Sequence, residues 1–177
     1  VADFSKEIYP DSKILDVGCG NGKNMEYIRN KLIKSSNIEG IDNCLQFVNH
    51  CRLKGLSVYY GDIRNLPQKD NRYDFVICIA VIHHLNTNKH RKYAVQELLR
   101  VLKPNGKLLL TTWALESDQF SIKRKFKLGD NIVPFKNSQR YYYIYDKNTF
   151  SQFCNNFDTQ NKRIFWDKGN WNVIFIK

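Results

Sequence analysis

Apolar and polar positions follow two alternating periods through the first two thirds of the chain. Lys13–Val17 (K-I-L-D-V) is a short apolar run that leads into glycines, the pattern of a strand buried on both faces. Gly22–Lys34 then carries Met25, Ile28, Leu32 and Ile33 at helical spacing on one face. Ile38–Asp42 predicts a second strand, Leu45–Leu53 a second helix and Ser57–Gly61 a third strand. Leu66-Pro67 and the polar run Gln68–Arg72 read as a loop. Tyr73–Val81 is the longest apolar run and predicts a central strand. Arg91–Leu102 reads as a helix, with Ala94, Leu98, Val101 and Leu102 in register. Pro104-Asn105-Gly106 is a turn signal, and Lys107–Trp113 predicts a fifth strand.

The pattern changes after Trp113. Leu115–Gln139 is polar, basic and weakly periodic, too long for an ordinary connection, so residues 114–140 read as an insert. Asp146–Asn155 predicts a short helix. Lys162–Trp166 and Trp171–Lys177 predict two strands around the turn Asp167-Lys168-Gly169-Asn170. The expected fold class is α/β, a Rossmann-like doubly wound and mostly parallel seven-stranded sheet with a C-terminal antiparallel hairpin. Residues 1–177 form one domain in this reading, as the length of 177 residues suggests.

Composition narrows the class. No apolar run approaches the ~18–20 residues of a membrane span, which excludes an integral helical membrane protein. The chain opens Val-Ala-Asp-Phe-Ser, and no secretory leader is read there. Lys and Arg total 28 against 17 Asp and Glu, a formal charge of +11. Such an excess points to a polyanionic partner, most simply nucleic acid, or else to a basic protein with no such partner. Five cysteines lie scattered with no C-x-x-C pair, which supports neither zinc knuckles nor disulfides. A reducing, cytoplasmic location is expected, with the nucleus a second possibility.

Asp16-Val17-Gly18-Cys19-Gly20-Asn21-Gly22 lies between the first strand and a helix. Gly18 and Gly20 permit a tight turn and close ligand approach, and the helix start offers unpaired N–H groups. A dinucleotide fingerprint would need a glycine where Lys23 stands. A P-loop would need Ser or Thr after Gly22-Lys23, where Asn24 stands. D-x-G-x-G-x-G instead resembles motif I of class I S-adenosylmethionine-dependent methyltransferases. That resemblance implies S-adenosylmethionine as cofactor and S-adenosylhomocysteine as product. Asp42, ending the second strand, would accept the ribose hydroxyls, with Asn43 beside it. Asp62 would accept the adenine amine, and Ile63 would pack on the ring. Ile79 and Ala80 would lie beneath the methionine part. Cys19, Asn21 and Asn24 complete the implied set with Asp16, Gly18 and Gly20.

Further text is more specific. A-V-I-H-H-L (Ala80–Leu85), E-L-L-R-V-L-K-P-N-G-K (Glu97–Lys107), W-A-L-E (Trp113–Glu116), Arg140-Tyr141-Tyr142 and Gly169-Asn170-Trp171 occur in this order. The series resembles the eukaryotic tRNA wobble-uridine carboxymethyl methyltransferases, including the domain fused to an AlkB-type dioxygenase in animals. The resemblance implies esterification of the carboxylate of 5-carboxymethyluridine in the tRNA anticodon stem-loop. His84, Trp113, Arg140, Tyr141 and Asn170 are the candidates for positioning that substrate. Arg140 would bind carboxylate or phosphate through its planar fork, and Trp113 or Tyr141 would stack a base. No metal site is expected, since His83 and His84 lack a third ligand at suitable spacing.

Lys123, Arg124, Lys125 and Lys127, with Phe120 and Phe126 interleaved, and a second group of Lys89, Arg91 and Lys92 are expected to meet RNA. The resemblance also implies a small zinc-binding methyltransferase activator protein as partner. It would pair on the edge strand Ser57–Tyr60, with Tyr59 and Tyr60 as apolar contacts. Family members carry an N-terminal arm over the cofactor; only Val1–Ser12 precede the first strand, so most of that arm is expected to be missing. The region of Lys136–Gln139 also reads as a shortened loop. A small-molecule methyltransferase and a catalytically silent RNA- or activator-binding scaffold are the alternative functions.

Overall fold

The computed structural model describes residues 4, 6–31, 37–116, 125–135 and 138–177. Five segments alternate strictly: β1 (Lys13–Val17), α1 (Lys23–Lys31), β2 (Asn37–Asp42), α2 (Leu45–Leu53) and β3 (Val58–Tyr60). After them come β4 (Tyr73–Ile79), a 3-10 turn (Ile82–His84), α3 (Asn88–Val101) and β5 (Leu102–Trp113). A hairpin of β6 (Gly129–Phe135) and β7 (Ser138–Ile144) leads to α4 (Lys147–Cys154), β8 (Asn161–Asp167) and β9 (Asn170–Ile176). The main sheet has seven strands in the order β3-β2-β1-β4-β5-β9-β8. β1 to β5 run parallel, β9 is antiparallel to β5, and β8 is antiparallel to β9. This is the expected doubly wound sheet with its C-terminal hairpin.

Strand alternation builds two cores. Leu15, Val17, Val76, Cys78, Leu108, Leu110 and Phe175 face α3 and α4, packing on Ala94, Leu98 and Phe150. Ile14, Phe75, Ile77, Leu109 and Ile174 face the other way, onto Met25, Ile28, Val48 and Cys51. Strands buried on both sides read as continuous apolar runs, which is why β1 and β4 are legible in the sequence. The order of connections reverses at β1 and β4, so the loop after β1 opens at the crevice where open α/β sheets bind ligands.

Three local readings change. The Pro104–Gly106 turn is an irregularity inside β5: Tyr73 pairs with Leu102, then Phe75 with Lys107, and Asn105 takes φ +64°. Residues 114–140, read above as an insert, hold β6 and the start of β7. A Gly, an Asp and a Pro depress the strand propensity of β6, and its order comes from antiparallel pairing with β7 and from local bonds. The Asn131 amide donates to Lys127 O and Gly129 O, each at 2.8 Å, and Tyr142 stacks on Trp113. Arg91, grouped above with surface cations, is 4% exposed. Its guanidinium lies 3.8 Å from the Tyr143 ring centroid and donates to Leu85 O at 2.7 Å, tying α3 to β7. Leu32, Ile33, Phe120, Lys123 and Arg124 lie outside the described residues.

β3 is the edge strand. It pairs only with β2, and Tyr59 and Tyr60 are exposed. At the other end the tight turn is Lys168-Gly169, both at positive φ, which matches the twist of a two-residue hairpin.

Candidate active site

The glycine loop is bound to the end of β2 by three hydrogen bonds. Gly18 and Cys19 N–H groups donate to Ile41 O at 2.7 and 3.1 Å. The Asp42 carboxylate accepts from Gly20 N–H through Oδ2 and from Cys44 N–H through Oδ1, both at 2.8 Å. One carboxylate thus joins the loop to the start of α2. A cavity of about 560 Å³ opens between this loop and the hairpin, within the size range of cofactor sites. Gly18, Gly20, Asp42, Asn43, Asp62, Ile63, Ala80, His84, Arg140 and Tyr141 all line it. A ring of candidates separated by more than a hundred positions is therefore brought to one wall-to-wall space.

Other candidates stand behind or outside the cavity. Cys19 is buried in the cluster that also holds Met25. Asn21 Oδ1 accepts from Lys23 N–H at 3.3 Å at the start of α1, and Asn24 sits in the first turn. Ile79 packs on the core beneath. Trp113 does not line the cavity: its ring stacks on Tyr142 at 4.5 Å and 8°, with Phe126 also against it at 5.4 Å. Asn170 does not line it either. Its amide donates to Asp167 O and Lys168 O, which closes the β8–β9 turn.

The two adjacent histidines differ. His83 is fully buried, and its Nδ1 accepts from Trp113 N–H at 3.2 Å, which places the proton of the neutral ring on Nε2. His84 faces the cavity and donates from Nδ1 to Tyr141 O at 3.1 Å, leaving Nε2 as an acceptor. Desolvation within the aromatic cluster, with Arg140 nearby, holds its pKa below the usual histidine value. Its ring is pressed against Tyr142 at 4.5 Å, so Trp113 acts on the cavity wall through Tyr142. Tyr141 donates its hydroxyl to Asp130 and receives a bond from Arg91 Nη1 at 3.4 Å.

Several residues here were not singled out from sequence. Phe47, Leu85, Gln139 and Arg64 line the cavity, and Tyr142 supports it. Ala80 carries φ +59° at the carboxyl end of β4, a strained conformation of the kind that gathers at functional sites. Periodicity carries no signal for it, because the strain arises where the chain leaves the sheet.

Asp16 is the other anomaly. It is 1% exposed, and both carboxylate oxygens lack a hydrogen-bond partner. Burial, with Asp42 close by, raises its pKa to about 7. Folding therefore raises this pKa above its unfolded value near 4, and the folded chain holds the extra proton between the two. The Asp16 contribution to stability without ligand should be full below about pH 4 and be lost as pH rises towards 7. Asp16→Asn should flatten that slope in thermal melts; an identical slope in the variant would exclude Asp16 as its source. A buried carboxylate without a partner, next to a loop with no Cβ obstruction at Gly20, fits a ligand that is cationic and approaches the backbone closely. S-adenosylmethionine has both a sulfonium and an ammonium group and fits that demand.

The sheet order, the loop at its switch point and the carboxylate at the end of β2 define a class I S-adenosylmethionine-dependent methyltransferase. Residues 15–110 match the family model described as a methyltransferase domain. The chain belongs to that family. It is 40% identical over 71% of its length to the tRNA (carboxymethyluridine(34)-5-O)-methyltransferase of Arabidopsis thaliana. It is 37% identical over 76% of its length to the probable tRNA methyltransferase 9B of Bos taurus. The chain spans only 30% and 28% of those two proteins. A SAM-dependent methyltransferase structure from Methanosarcina mazei matches with a TM-score of 0.79 at 18% identity, over 100% of this chain and 97% of that one. The methyltransferase in complex with the Trm112 activator from Haloferax volcanii matches at 0.69 and 14%, over 99% and 88%. These structures share the fold. No helix among the described residues is long and apolar enough to cross a membrane.

Proposed function

We propose that this chain transfers the methyl group of S-adenosylmethionine to the carboxylate of 5-carboxymethyluridine at the tRNA wobble position. The observation that carries the reading is the single cavity that joins the glycine loop and Asp42 to His84, Arg140 and Tyr141. The identity to carboxymethyluridine methyltransferases supports the same substrate.

In this reading Gly18, Gly20 and Asp42 hold the nucleoside end, with Ile63 against the adenine and Asp16 opposite the cationic end. The bound cofactor supplies an activated methyl. The substrate carboxylate is ionised at neutral pH, so no general base is needed. Its oxygen forms the new C–O bond as the C–S bond breaks, and the sulfur keeps that electron pair as a thioether. The chain's work is alignment and exclusion of water, which can supply ~7–11 kcal/mol. Arg140 is exposed at the mouth and suits a carboxylate or phosphate. His84, neutral and fixed by Tyr141, offers an acceptor and places no cation that would blunt the nucleophile. Lys125 and Lys127 are exposed beside the hairpin and suit the RNA backbone.

The exposed edge β3, with Tyr59 and Tyr60, suits strand addition by a small zinc-binding activator. A protein of like fold from Haloferax volcanii forms a complex with the Trm112 methyltransferase activator, which supports an activator as partner.

The test is transfer of labelled methyl to an anticodon stem-loop bearing 5-carboxymethyluridine, with and without an activator protein. The expected product releases its label as methanol in mild alkali, as an ester must. Label stable to alkali, or equal transfer to a free carboxylic acid, would refute the assignment.

A further inference from the structure

Asp62 was expected to accept from the adenine amine, and in the structure Arg64 holds its carboxylate. Arg64 Nε donates to Oδ1 at 2.9 Å and to Oδ2 at 3.1 Å, and Nη2 donates to Oδ2 at 2.5 Å. The Arg64 backbone N–H donates to Oδ1 at 2.8 Å. A carboxylate offers roughly four acceptor positions, and these three N–H groups occupy about three. The guanidinium reaches both oxygens and the Arg64 backbone N–H holds Oδ1 as well, which fixes the orientation of the carboxylate. Both residues line the cavity, beside Ile63.

We propose that Arg64 is the positioning residue for base recognition: it locks Asp62 so that one remaining acceptor faces the cofactor's purine. This rests on the cofactor placement above and adds what that placement lacks, a reason for the choice of base. A single fixed lone pair accepts the exocyclic N–H of adenine. It repels the carbonyl oxygen that hypoxanthine carries at the same position. A site built to receive an N–H discriminates strongly against an analogue that lacks it. An unlocked carboxylate turns away from the mismatch and loses that selectivity. Lysine keeps the charge but not the planar fork, so it does not replace arginine here.

The experiment is calorimetric binding of S-adenosylhomocysteine and S-inosylhomocysteine to the unaltered chain and to Arg64→Ala and Arg64→Lys. The Arg64 side chain is 42% exposed, so both variants should fold, which thermal melts will report. The unaltered chain should prefer the adenine ligand by roughly tenfold or more, the scale of one hydrogen bond to a charged group. Both variants should bring the two ligands to within about threefold of each other. Equal weakening of both ligands, with the ratio preserved, would reduce Arg64 to a general contact and overturn the proposal. Full selectivity in Arg64→Lys would assign the effect to charge and overturn it too. Failure of the unaltered chain to bind S-adenosylhomocysteine would instead overturn the cofactor placement, and the proposal with it.

Discussion

Asp42→Ala should abolish measurable cofactor binding while leaving the sheet folded. Asp42 accepts from Gly20 N–H and Cys44 N–H, at 2.8 Å each, and is 8% exposed. Alanine leaves both donors without their partner and frees the loop from α2. Hydrogen bonds to a charged group contribute about 1.5–3 kcal/mol each, so losing two costs a hundredfold or more in affinity for a ligand that needs the loop in place. The ribose contact assigned to the same carboxylate is lost as well. Asp42→Asn separates the parts: its single carbonyl oxygen can serve one of the two N–H groups, so partial binding should survive. Removing this charge also relieves Asp16, whose pKa should drop towards the ordinary carboxylate range. Calorimetry with S-adenosylhomocysteine and the pH dependence of melting read both effects. Binding within threefold of the unaltered chain in Asp42→Ala would remove Asp42 from the site.

Gly18→Ala should cost both stability and binding. A Cβ at Gly18 would lie 2.2 Å from Val81 Cγ2 and 3.1 Å from Cγ1, and the residue holds φ +74°. The left-handed conformation costs an L-residue about 1–2 kcal/mol. The overlap adds roughly 1–3 kcal/mol, since the Val81 side chain must leave its position to relieve a 2.2 Å approach. The loop must shift to relieve the overlap, and it would carry its N–H groups away from the ligand. Gly18→Ala with Val81→Ala restores the space but not the backbone conformation, so it should recover part of the loss. Gly20→Ala is the contrast: φ is +53° but no atom lies within 4 Å, so only the conformational cost of about 1 kcal/mol should appear. Melts of the three variants test this ranking. A Gly18→Ala melt as mild as that of Gly20→Ala would show that the contact with Val81 carries no weight.

The elements that were legible share a cause. β1 and β4 are buried on both faces, and α2 spans the predicted Leu45–Leu53 without change. Their order depends on local pattern, and the pattern agrees with the tertiary structure. β6 was not legible, because its order comes from pairing with β7, which Tyr142 in turn anchors on Trp113 of β5. Arg91 misled for a similar reason. A cation in a basic stretch reads as surface, yet the ring of Tyr143 and the carbonyl of Leu85 compensate its burial.

Within the site, the sequence alone determined where the glycine loop and the acids at the ends of β1 and β2 fall, because spacing relative to strand ends decides which backbone groups meet a ligand; the resemblance of that loop to motif I implied the cofactor. Only the tertiary structure decided how those groups are used. It bound Asp42 to the loop, turned Arg64 onto Asp62, left Asp16 without a partner and set Trp113 behind Tyr142. It also brought the β6–β7 hairpin over the cavity, so that Arg140 and Tyr141 face a loop more than a hundred residues away. Those outcomes depend on which side chain packs or pairs with which across the chain, and no local period encodes that.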